Sequence, residues 1–151
     1  MFWFSFVNFP ENFLISEEKI SEILNFIAKK VPITQRGILN IAFLPDEEIQ
    51  ILNREYRGID KTTDVLSFHY FDDFSDLDSA TDIAGECIFS EAKILEQAQK
   101  FEHSPLEEFE ILLIHSVLHI LGFDHETNED FEAMWRFEKP IRENFFLSIK
   151  R

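Results

Sequence analysis

Cysteine is almost absent. Cys87 is the single thiol in 151 residues, so no disulfide can close within the chain, and a reducing compartment is the simpler setting. It lies in the apolar run Ala84-Gly85-Glu86-Cys87-Ile88-Phe89 and reads as a buried strand residue rather than a nucleophile. Cations are scarce as well: 14 Lys and Arg stand against 29 Asp and Glu, for a net charge of −15. That excludes a broadly basic nucleic-acid surface, because phosphate contacts need Lys and Arg. A small basic cleft on an acidic body stays open. The acidity itself reads as solvated faces rather than as steering of a cationic partner. No apolar run approaches the ~20 residues that span a bilayer. Met1–Val7 is apolar but short, without a basic leader or a small-residue cleavage site. These absences lead to the expectation of a cytoplasmic protein with no membrane partner.

With four glycines and five prolines, the chain holds no Pro/Gly/Ser linker, repeat or low-complexity tract. Its length fits one domain, residues 1–151. Hydrophobic residues make up 45%, Phe alone occurring 18 times, which is enough for a core. Phe2–Asn8, Gly37–Leu44, Asp64–Tyr70 and Ile83–Ser90 read as strands. Ser16 caps a predicted helix to Lys30, with Ile20, Ile23, Leu24 and Ile27 on its apolar face. Asp46 is expected to cap a helix to about Tyr56, and Ser90 one to about Phe101. Ser104-Pro105-Leu106-Glu107 matches a capping box, opening a helix that runs to Leu121 and stops at Gly122. Thr127 caps a last helix, which Pro140 should break or kink. The five aspartates Asp72, Asp73, Asp76, Asp78 and Asp82 lack the spacing and the glycine of a helix–loop–helix calcium site and read as a solvated loop. The expected class is α+β (α/β-like): a small mixed four-stranded sheet packed with several helices.

Three of the five histidines fall within Ile111–His125, ILLIHSVLHILGFDH. His115 and His119 are four apart on a predicted helix and share a face. Gly122 permits a sharp turn that returns His125 toward them. A single histidine in such an apolar helix would most simply be a core residue with a satisfied hydrogen bond; three in this arrangement read as ligands. Zinc favours imidazole nitrogen in tetrahedral geometry, and three protein ligands leave one position open, the catalytic arrangement. Zinc can lower the pKa of its water from about 15.7 to about 7. The spacing H-x3-H-x2-G-x2-H is the frame of the metzincin proteases, which place the general base Glu directly after the first histidine. Ser116 stands there instead, so the ligand geometry is metzincin-like and the protease chemistry is not carried over.

A second segment runs from Asn53 to Phe68, NREYRGIDKTTDVLSF. Read alone it is a helix end, a turn and a strand, with Arg54, Arg57 and Lys61 as surface charges. Together with the strand GECIFS (Gly85–Ser90) and HSVLHILGFDH (His115–His125), it resembles the YbeY family of bacterial metal-dependent endoribonucleases. That family carries N-x2-Y-R-x2-D-x-x-T-D-V-L-S-F, a G-D-I-x-I-S-like strand and H-G-x-L-H-L-x-G-x-D-H, in this order. There are departures: Ser116 stands where the family usually has glycine, Glu86 replaces aspartate, and His69 stands where proline is common. His69 reads as a solvent-facing strand residue or as a further polar group near the metal.

The resemblance implies one Zn2+ held by His115, His119 and His125, and places Arg57 and His115 in the catalytic machinery. It implies a single-strand-specific, zinc-dependent endoribonuclease. The implied role is processing of ribosomal RNA, at the small-subunit 3′ end, and ribosome quality control, with RNA and the ribosomal small subunit or assembly factors as partners. Arg57 is suited to the charge that gathers on phosphorus, because a guanidinium offers paired, permanently charged donors. Docking would rest on a cleft near Arg57 and Lys61 or on a partner. Asp124 and Glu126 flank the last histidine, and either could orient an imidazole. Two rival readings stand beside this one: a metalloprotease-like hydrolase with a non-standard base, and a non-catalytic, zinc-stabilised ribosome assembly factor.

Overall fold

A computed structural model describes residues 3–7, 9–31, 37–69, 83–123 and 125–149. The acidic stretch from Asp72 to Asp82 and Asp124 lie outside them. Four strands form one mixed sheet: β1 (Trp3–Val7), β2 (Ile38–Phe43), β3 (Val65–His69) and β4 (Ile83–Phe89), in the order β1-β2-β4-β3. β1, β2 and β4 are parallel, and β3 runs antiparallel to β4. Five helices accompany them: α1 (Glu17–Lys30), α2 (Asp46–Arg57), α3 (Glu91–Lys100), α4 (Pro105–Ile120) and α5 (Asn128–Asn144). The fold is α+β, as expected. None of the described helices is long and apolar enough to cross a membrane.

Alternation along the strands divides the core. Leu39, Ile41 and Phe43 of β2, with Cys87 and Phe89 of β4, are buried with Ile20, Ile23, Leu24 and Ile27 of α1 and the apolar residues of α4. Phe43, Phe89 and Phe109 pack with ring centroids 5.0 to 5.6 Å apart. Fully burying each such ring contributes roughly 1.5–3 kcal/mol. Ile88 and Leu66 face the other way and pack on Ile49 of α2. Helix α4 is buried along nearly its whole length, as a helix apolar on all sides must be.

Hydroxyls set the helix starts. Ser16, Ser90, Ser104 and Thr127 accept from the backbone N–H three residues on. Helix α2 differs from expectation. Pro45 is its N-cap and makes no side-chain cap bond, while Asp46 is the first helical residue. Its carboxylate instead accepts from Ser90 Oγ, tying α2 to the end of β4. The capping box is realised on one side only: Glu107 N–H donates to Ser104 Oγ, but the Glu107 carboxylate accepts from Ser148 N–H. Helix α5 does not break at Pro140; it continues to Asn144. Proline there removes one N–H donor near the helix end, and buried Ile141 and Arg142 hold the turn in place.

Candidate metal centre

Helix α4 delivers His115 and His119 from its last two turns. Leu121 closes it, and Gly122, at φ 104°, turns the chain. That left-handed conformation favours glycine, and it returns His125 over the helix end. The three rings converge, with centroids 4.6, 4.9 and 5.4 Å apart. One nitrogen from each lies within 4.8 Å of the others. His115 Nε2 and His119 Nε2 are 3.1 Å apart, close to the roughly 3.3 Å edge of a tetrahedron with zinc–nitrogen bonds of about 2.0–2.1 Å. Donor type and spacing therefore fit a metal ion.

The orientation of His115 has a definite cause. Its Nδ1–H donates to Glu138 of α5, at 3.2 and 3.4 Å to the two oxygens. Nε2 is thereby left free of its proton and turned toward the other imidazoles. Arg142 Nη2 donates to the same Glu138 at 2.6 Å, and Arg142 Nη1 donates to the Ser148 carbonyl. Burial pushes the Glu138 carboxyl up, but the hydrogen bond from His115, the charge that His115 carries when protonated, and the charge and hydrogen bond of Arg142 outweigh it. The carboxyl is held below its ordinary value and stays ionised.

The imidazoles share a cavity of about 820 Å³ with Arg57, Thr63, Asp64, Ser67, His69, Trp135 and other residues. Arg57 ends α2 and is held there by Nη2 donating to the Ser67 carbonyl at 3.0 Å. Other residues of its motif hold the segment in shape. Buried Asn53 Nδ2 donates to the Lys61 carbonyl at 2.8 Å. Asp60 accepts from Gln50 and lies 3.9 Å from Arg54 in an exposed ion pair. Asp64 accepts from the Val65 N–H and from Gln97 of α3. Of the three basic residues in the segment, only Arg57 lines the cavity; Lys61 does not.

A family model described as endoribonuclease YbeY matches residues 11–145. The chain belongs to the YbeY family. The endoribonuclease YbeY of Shouchella clausii is 33% identical over 150 residues, covering 93% of this chain and 94% of its own length. That of Clostridioides difficile is 37% identical over 131 residues, covering 84% and 86%. The solution structure of TM1509 from Thermotoga maritima shares the fold, with a TM-score of 0.57 and 24% identity over 95% of this chain and 91% of that one.

The departures from the YbeY pattern fall in different places. Ser116 is buried, and its Oγ lies 2.6 Å from Ser67 Oγ. It is also hydrogen-bonded to Cys87, whose thiol burial pushes up to about 12. His69 is exposed at the end of β3 and lines the cavity. Glu86 pairs with Phe68 across the sheet and is not among the cavity-lining residues. Glu126 is exposed on the rim. Sequence reasoning passed over Glu138 and Arg142, which stand four apart on α5, a spacing also common to exposed surface pairs. A charged pair on the buried face of α5 was the available signal.

Proposed function

We propose that this chain is a single-strand-specific, zinc-dependent endoribonuclease, working in the cytoplasm on ribosomal RNA at the small-subunit 3′ end and in ribosome quality control. One observation carries the reading: three imidazoles within ligand distance of one another line the same cavity as a guanidinium. When bound by His115, His119 and His125, zinc supplies Lewis acidity toward a phosphate oxygen and toward water. The chain's own residues do the rest. Glu138 holds the His115 proton on Nδ1, so that Nε2 presents its lone pair. Arg57, steadied by the Ser67 carbonyl, presents a fixed positive charge to the phosphate as negative charge accumulates there. Membership of the YbeY family supports RNA as the substrate. The protease alternative finds no base at residue 116, because that hydroxyl is buried against Ser67 and Cys87.

The test couples metal analysis to cleavage of labelled RNA, with and without chelator. Arg57→Ala should retain zinc and lose about 100- to 1000-fold in rate. His119→Ala should lose the zinc itself. Full activity in Arg57→Ala removes that residue from the chemistry. Zinc raising the melting temperature without any RNA turnover selects the assembly-factor alternative.

A further inference from the structure

An RNA substrate needs cations, and this chain carries few. Beside the metal cavity, α5 presents side chains that the proposed chemistry leaves unused. Phe131 is 53% exposed, and its ring stacks with that of Trp135, centroids 6.3 Å and planes 13° apart. They stand four positions apart, so successive helical turns keep them in line. Trp135 is further steadied by the Arg142 guanidinium, 5.3 Å from its ring centroid. Both rings line the metal cavity and also a neighbouring hollow of about 310 Å³, completed by Glu132, Arg136, Lys139 and Pro140. Arg136 and Lys139 are exposed, and neither belongs to an ion pair among the described residues. Glu132 is the one opposing charge among the described residues lining that hollow.

We propose that this face of α5 is a binding subsite for the single RNA strand flanking the scissile phosphate, with bases stacked on Phe131 and Trp135 and the next phosphates on Arg136 and Lys139. Aromatic rings accept any base, since every base has a π-face. A duplex keeps its bases stacked inside and cannot use the platform, so the subsite favours unpaired RNA. Continuity makes the assignment specific: the same two rings join the imidazole cavity to the cationic hollow. The charge is local, which reconciles an RNA substrate with a net charge of −15. The inference rests on the nuclease reading above.

The test uses the zinc-loaded full chain and a phosphorothioate oligouridylate of about 12 nucleotides, with binding followed by fluorescence anisotropy across a salt series. Phe131→Ala should weaken binding about tenfold without changing the salt slope, and Phe131→Trp should restore it. The double variant Arg136→Gln, Lys139→Gln should lower the slope of log affinity against log salt by about 1.4. With cleavable RNA, the loss should appear in KM. If wild type cleaves RNA and both variants bind as tightly as it does, the subsite is overturned and the nuclease reading survives. A wild type that neither binds nor cleaves RNA overturns both.

Discussion

The proton on His115 is placed by a residue 23 positions away. Glu138 accepts from Nδ1 while Arg142 keeps the carboxylate charged. Carboxylates in this position typically govern metal affinity by 10- to 100-fold. Glu138→Gln should therefore weaken zinc binding by about that factor, measured by competition with a fluorescent chelator; unchanged affinity would refute the role. Cys87 supplies a second residue-scale expectation. Its thiol is fully buried and raised from 9.0 to about 12, by burial first, against a lowering by the Ser116 hydrogen bond and with a lesser push from the Glu86 charge. At about pH 8 it should resist thiol reagents until the protein is denatured. An unfolded chain releases that proton earlier than the native one, so stability should fall as pH rises from 9.0 toward 12. Urea midpoints measured across that window check the sign.

At the scale of elements, β4 meets both β3 and α4 at one glycine. A Cβ on Gly85 would lie 2.4 Å from the Phe68 carbonyl oxygen and 3.1 Å from the Ile120 side chain. Overpacking of this kind costs about 1–3 kcal/mol. Gly85→Ala should lower the melting temperature and, because Ile120 adjoins His119, weaken zinc binding too. A variant that melts and binds zinc like wild type would show that the strand yields freely. The elements themselves were largely legible: apolar periodicity gave α1, the Ser104–Glu107 capping motif and the stop at Gly122 gave α4, and the hydroxyl caps Ser16, Ser90, Ser104 and Thr127 fall where expected. Asp46 misled because a capping residue type can also occupy the first helical position, and its partner, Ser90, is 44 residues away. Pro140 does not end α5, because tertiary burial of its neighbours outweighs one missing backbone bond.

For the whole molecule, the proposed metal joins the end of α4 to the segment leading into α5. A ligand that binds only the folded state stabilises it by about 4 kcal/mol at 1,000 times its Kd, roughly 8–16 °C for a chain of this size. Zinc should raise the melting temperature on that scale. The rise should vanish with His125→Ala. Calorimetry in zinc and in chelator measures it; an unmoved transition would argue against folding-coupled binding. The three histidines were legible because helical spacing and a glycine turn are local facts. Arg57 was legible through its motif alone, as nothing in its spacing distinguishes it from Arg54. The Glu138 contact and the aromatic face of α5 were not, since they depend on how α5 is laid against α4.

Ser67 joins two halves of this architecture. Its carbonyl steadies the Arg57 guanidinium, while its hydroxyl touches Ser116, the residue next to His115. One strand residue is thus a common fulcrum for the cation and for the imidazole helix. A small slide of β3 would carry both together, so the gap between them is better protected against thermal motion than either group's position in the molecule.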